Sequence, residues 1–195
     1  MKIIAFDNAH RKSEGIEPSV FLYPDSCILR NNEPFFVPDV SHTFTVIAGL
    51  ILKISKIGKC IEPEFAQRYV SHVGLAINFR DITEEKLLKD IGSNHSMAWC
   101  KDRSLAASNE MFEIDIMHKP SFHFIFKVND DEFKGTTQTF RFSVDSLVSY
   151  ASTFMTLKIG DLLFIPAFSF EKGIQVGDVF AGFMGDKYLL KCQMK

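Results

Sequence analysis

The chain has 195 residues, 46% of them hydrophobic, and a formal net charge of −2. That length suits one domain with a sizeable core, and that apolar share excludes a disordered chain. The near-neutral charge excludes a general attraction to nucleic acid or to an anionic membrane surface.

Twenty phenylalanines against one tryptophan point to packed sheets that carry large apolar side chains. Cys27, Cys60, Cys100 and Cys192 fit neither a CxxC zinc pattern nor a dense disulfide framework. They read as free thiols of a reducing cytoplasm. The opening MKIIAFDNAHRK turns polar too early for a signal-peptide core. The longest apolar run, Val46 to Leu52, is far below the roughly 20 residues of a membrane span.

In chain order, Lys2–Phe6 and Ser19–Tyr23 are short strand candidates, followed by turns at Pro24-Asp25-Ser26 and Arg30-Asn31-Asn32. Thr43–Ser55, TFTVIAGLILKIS, is a long β-rich run that ends at Lys56-Ile57-Gly58-Lys59. Glu62–Val70 opens with Glu-Pro-Glu, which suits a helix first turn. Val73–Phe79 is strand-like, and Thr83–Ile91 is a short helix with Thr83 as N-cap and Gly92 as its stop. Phe122, Phe124 and Phe126 alternate with His123, Ile125 and Lys127, the period of a strand with one core face. Asn129-Asp130-Asp131 marks a turn, and Asp145 is placed to cap a helix that runs to about Met155. Gly160-Asp161, Gly177-Asp178 and Gly185-Asp186 each precede an apolar run: Leu162–Ile165, Val179–Phe183 and Tyr188–Cys192. The rhythm is that of a mainly β domain with minor α content. Lys53, Lys56 and Lys59 read as a solvated hairpin end.

Pieces from end to end carry a resemblance. They are KIIAF, SVFLYPDSCIL, NEPFFVPDVS, ISKIGKCI with FAQRYV, AINFRDI, WCKD, and SVDSLVSYASTFMTLKIGDLLF followed by VGD. Together they resemble the fumarylacetoacetate hydrolase superfamily, and a compact subgroup of it. The most specific block is a helix, then Thr-Leu-x-x-Gly-Asp, then an apolar strand. The resemblance implies a mixed β-sandwich roll over 1–195 as a single domain, with 1–40 supplying N-terminal strands and a shortened lid loop. It implies a homodimer. It also implies metal-dependent hydrolases, isomerases, hydratases or decarboxylases that act on carbonyl acids such as acylpyruvates and oxaloacetate.

In that family a Glu-x-Glu pair on one strand and an Asp on another hold Mg²⁺ or Mn²⁺. The matching positions here are Ile47, Gly49 and Asn78. No acid lies between residues 40 and 59, so no shift of frame restores the pair, and Asp81 would act alone. The family lysine near the metal matches Lys101. The small-residue loop that admits the substrate carboxylate matches Ile165-Pro166-Ala167-Phe168, where Phe168 and Phe170 are expected to fill the space. The lysine of the family's Phe-x-Lys-Pro matches Tyr23. Asn8-Ala9-His10 with Glu14 resembles the water-activating His–Glu dyad, at a spacing one residue too long.

The expectation is therefore a degenerate member with no metal cofactor. Ile47, Gly49, Asn78, Lys101, Pro166, Ala167 and Phe168 would line the former site, and Lys101, His10 and Glu14 remain as catalytic candidates. Lys101 either binds a small anionic ligand or pairs with Asp102 or Asp81. His10 and Glu14 are either a general base pair or solvated loop residues. Two alternatives stand beside degeneracy: a metal-free hydrolase, isomerase or decarboxylase of small carbonyl acids, and a non-catalytic binding or heterodimer partner.

Overall fold

A computed structural model describes residues 1–7, 17–114 and 121–195. Its strands are β1 (Ile3–Phe6), β2 (Val20–Tyr23), β3 (Ile28–Leu29), β4 (Phe44–Ile54), β5 (Val70–Asp81), β6 (Leu105–Ala107), β7 (Phe112–Glu113), β8 (His123–Val128), β9 (Asp131–Thr136), β10 (Leu162–Ile174), β11 (Val179–Met184) and β12 (Lys187–Gln193). Two α-helices, α1 (Ile82–Asp90) and α2 (Val144–Phe154), interrupt them. The larger sheet runs β2-β1-β10-β4-β5-β6-β3, with β7 added to β5, and the smaller runs β12-β11-β8-β9. No helix among the described residues is long and apolar enough to cross a membrane.

The long apolar run of β4 has a direct cause. β4 and β5 pair antiparallel from Phe44↔Asp81 to Ile54↔Val70, and both faces of that pair are buried. On one face Val46, Ala48, Leu50, Leu75, Ile77 and Phe79 pack against Phe124, Phe126, Phe180 and Leu190 of the smaller sheet. On the other, Ile47, Ile51 and Ala76 pack with Ile3, Ala5, Tyr23, Trp99 and Phe164. A strand covered on both sides loses the apolar–polar alternation and reads as continuous hydrophobicity. The Phe122–Phe126 strand keeps its alternation: Phe124 and Phe126 are buried while His123 is exposed.

Three local expectations change. Pro63–Tyr69 winds as a 3₁₀-helix rather than an α-helix and leads directly into β5 at Val70. Asp81, not Thr83, caps α1: its carboxylate accepts the Glu84 N–H at 2.9 Å. Thr83 Oγ1 accepts instead from Thr43 N at 2.9 Å and ties the helix to the start of β4. Ser143, not Asp145, caps α2 by accepting Ser146 N–H at 3.1 Å.

The Gly-Asp rhythm has a shared mechanism at its first two sites. Gly160 and Gly177 hold φ of +86° and +104°, a region that disfavours a Cβ. The following aspartate then turns back to the residue three before it. Asp161 accepts Lys158 N and Asp178 accepts Gln175 N, both at 2.8 Å.

Asp161 is 2% exposed and also accepts the backbone N–H of Lys2 at 3.0 Å and its ammonium, which fastens β1 beside β10. Burial pushes its carboxyl up, but the bonds from Lys2 and Lys158 outweigh that and hold it below its ordinary value. Such a group contributes stability that is full above its unfolded pKa, near pH 4, and is lost as the pH falls through the folded value. Asp161→Asn should therefore cost about 2–3 kcal/mol at neutral pH. Its acid-unfolding limb in urea titrations should also be flatter than the parent's. Equal limbs would show that Asp161 is not the group that titrates.

Candidate functional site

β4 and β5 bring the first two sequence-predicted positions face to face. Ile47 pairs with Asn78, and Gly49 lies two residues further along β4, on the same side of the sheet. Gly49 also opposes Pro166 of β10. The three positions that the sequence resemblance matches to metal ligands therefore lie side by side on the sheet. What they present is a hydrocarbon, a hydrogen and an amide. Among the described residues, no group of three or more His, Cys, Asp or Glu is placed to hold a metal ion.

The amide of Asn78 is fully engaged. Nδ2 donates to the carbonyl of Trp99 at 2.8 Å and to that of Ser104 at 3.3 Å. Oδ1 accepts from the Tyr23 hydroxyl at 3.3 Å and from Arg80 Nε at 3.0 Å. Burial pushes the Tyr23 phenol well up, so it remains a neutral donor.

Arg80, two residues along β5 from Asn78, carries the charge of the site. Its Nη1 donates to Asp7 Oδ1 at 2.8 Å, and its guanidinium lies 4.1 Å over the Trp99 ring. The arginine side chain is 6% exposed against 33% for Asp7. Among the described residues, Arg80 Nη2 is buried without a hydrogen-bond partner. Trp99 is itself fixed by its Nε1–H to Glu85 Oε2 at 2.7 Å and by the edge of Phe21, 4.6 Å between centroids. One buried cation is thus clamped by an amide, a carboxylate and an aromatic face.

Lys101 belongs to a neighbouring cluster at the end of β5. Its ammonium donates to Asp81 Oδ2 at 2.7 Å and contacts Glu84. The same Asp81 oxygen meets His42 Nδ1 at 2.7 Å. Burial pulls the Lys101 ammonium down, but the bonds to Asp81 and Glu84 outweigh it and hold its pKa above the ordinary value. The bond to Asp81 raises His42 likewise. Of the two partners the sequence left open for Lys101, Asp81 is the one found. Asp102 accepts from Ser26 Oγ at 2.7 Å. A lysine kept charged by two carboxylates is a poor base and a screened anion anchor.

The expectation for Phe168 and Phe170 needs correction. β10 bulges between Pro166 and Phe168, a place where a proline without an N–H is tolerated in a sheet. The bulge turns Phe168 to the opposite face, where it packs between the sheets against Phe124 at 5.9 Å and Phe126 at 6.1 Å. Phe170 joins it there against Phe133 at 4.5 Å. Neither fills the space beside Asn78. Ala167 sits at the bulge and packs against the same inter-sheet core. His10 and Glu14 lie outside the described residues.

Arg80, Asp7 and Trp99 are the site residues that the sequence reading missed. A signal was present: Arg80 is a charged residue two positions from Asn78 in the otherwise apolar segment AINFR, so it had to share Asn78's buried face. The cysteines match their reading as free thiols. Cys27, Cys100 and Cys192 are buried, Cys60 is exposed, and burial pushes the Cys27 thiol up to about 12.

No protein of curated function matches the chain. Several solved structures share its fold. One is a fumarylpyruvate hydrolase from Pseudomonas aeruginosa in complex with Mn²⁺ and pyruvate, 17% identical with a TM-score of 0.83, the match covering 99% of this chain and 88% of that one. Another is a 5-carboxymethyl-2-hydroxymuconate delta-isomerase from Mycobacterium smegmatis, 19% identical with a TM-score of 0.81, over 99% of this chain and 78% of that one. A third is a 2-hydroxyhepta-2,4-diene-1,7-dioate isomerase from Mycobacterium marinum, 20% identical with a TM-score of 0.79, over 99% and 73%. These likenesses concern the fold, which is the mixed β roll that the sequence resemblance implied. The profile of the fumarylacetoacetate (FAA) hydrolase C-terminal family matches residues 5–180, and the chain belongs to that family.

Proposed function

We propose that this chain is a family member without the divalent cation and without the metal-dependent hydrolase or isomerase chemistry that goes with it. In this reading Arg80, paired with Asp7, is the fixed cation of the former metal site. The supporting observation is Asn78. It is the one of the three positions that keeps an oxygen, and that oxygen already accepts from Tyr23 and from a guanidinium. A hard divalent ion needs several anionic or carbonyl oxygens, and a guanidinium 3.0 Å from the remaining one repels it. Calorimetric titration of EDTA-stripped protein with Mn²⁺ and Mg²⁺ should give no heat of binding up to millimolar metal. Tight one-to-one binding would overturn the proposal.

One observation favours a second reading, a metal-free enzyme that acts on small carbonyl acids. Among the described residues Arg80 Nη2 is a buried N–H donor without a partner, the kind of group that stabilises an enolate or oxyanion. This reading places the chemistry on Arg80 rather than Lys101. Turnover of an acylpyruvate or of oxaloacetate in excess EDTA, lost in Arg80→Lys, would support it. A clean preparation inert towards both acids would end it.

A further inference from the structure

At the far end of β4, the loop that the sequence presents as a solvated hairpin end is concave. Residues 56–62 fold against the 3₁₀-helix Pro63–Tyr69 around a cavity of ≈ 340 Å³ lined by Lys56, Lys59, Arg68, Cys60, Phe65 and Tyr69. Among the described residues that line it, Glu62 is the single carboxylate beside three cations. Exposed lysines elsewhere find acids, as in Lys89–Glu85, Lys127–Glu132 and Lys187–Glu110. Among the described residues Lys56, Lys59 and Arg68 form no ion pair, although Glu62 lines the same cavity. Arg68 is instead held over the Phe65 ring at 4.8 Å.

The backbone beneath is fixed before any ligand arrives. Cys60 adopts φ of +50°, its N–H donates to the Ser152 carbonyl at 3.0 Å, and Ile61 N–H donates to Ser152 Oγ at 2.8 Å. Gly58 bridges to Leu157 and lies so close to Tyr69 that a Cβ there would meet its ring at 2.4 Å. A concave surface with an excess of one sign of charge concentrates counter-ions, and an arginine fork matches phosphate or carboxylate oxygens in pairs.

We infer that this cavity is a second binding site, for a compact anion of two or more negative charges, either a phosphate ester or a polycarboxylate. It lies roughly 25 Å along β5 from Asn78, at about 3.3 Å per residue. It is therefore independent of the former metal site and of what happens there.

Cys60, the exposed cysteine among three buried ones, is a built-in reporter on the cavity wall. The test uses the full chain. Alkylation of Cys60 by anionic iodoacetate and by neutral iodoacetamide is followed by mass spectrometry, with N-acetylcysteine as the reference thiol. The iodoacetate-to-iodoacetamide rate ratio should exceed the reference by several fold. Low-millimolar inorganic pyrophosphate should slow the reaction more than sodium chloride at equal ionic strength does. Running citrate in parallel separates a phosphate site from a polycarboxylate site. Lys59→Glu with Arg68→Glu should abolish both the preference and the protection. A ratio equal to the free thiol's overturns the inference, as does protection that sodium chloride reproduces in full. These wild-type measurements decide the matter even if the double variant fails to fold.

Discussion

Gly49→Ala should cost at least about 3 kcal/mol, among the largest losses any single methyl group can cause in this protein. An added Cβ would lie 2.1 Å from the Ile165 carbonyl oxygen and 2.8 Å from Pro166 Cα, both backbone atoms of the adjacent strand. β10 cannot simply retreat, because β1 is paired to its other edge and β4 is paired to β5 beyond. The loss should appear as a lower urea midpoint with an unchanged slope. The consequence reaches past stability. Any glutamate at 49 must first place that same Cβ, so Ile47→Glu, Gly49→Glu and Asn78→Asp together should not create a metal centre. A Gly49→Ala protein within about 1 kcal/mol of the parent would mean that β10 yields easily and that position 49 can accept a larger side chain.

Arg80→Ala carries the second large effect, about 2–4 kcal/mol. It empties a buried volume beside Trp99 and removes the donors to Asn78 Oδ1 and Asp7 Oδ1. Arg80→Lys should recover only part of this, since one ammonium cannot serve two acceptors in different directions while stacking on an indole. Asp7→Ala should be the mildest of the three, because Asp7 is a third exposed and its pairing is screened by water. If Asp7→Ala proves as damaging as Arg80→Ala, the ion pair and not the clamp of Asn78 and Trp99 holds the site together. Urea midpoints of the three variants give the order.

Much of this architecture was legible in the sequence. The alternation of Phe124 and Phe126, the unbroken apolar run of β4 and the Gly-Asp turns each follow from a periodicity or a backbone preference, and each appears in place. The site was half legible. The i, i+2 spacing puts Ile47 and Gly49 on one face of their strand, and the strand register sets Asn78 opposite Ile47. Spacing could not show that Pro166 sits at a bulge. One extra residue in β10 reversed the direction of Phe168, and inserted residues leave no trace in a period-two pattern only a few residues long. The cap of α1 was missed for a related reason. Thr83 and Asp81 are both good N-caps by type, and the choice between them was made by Thr43, forty residues away, which uses the threonine hydroxyl.

The parallel pairing of Ile3–Ala5 with Leu162–Phe164 has a consequence for biosynthesis. β1 is synthesised with its inner neighbour more than 150 residues further along the chain, and Asp161, which fastens it, arrives only with that neighbour. At about 5–20 residues per second, the strand must wait on the order of ten to thirty seconds with Ile3, Ile4 and Phe6 unburied. Val20–Tyr23 is available much sooner and pairs with it antiparallel. Among the described residues, that pairing is the local shelter the nascent segment has until the large sheet can close around it.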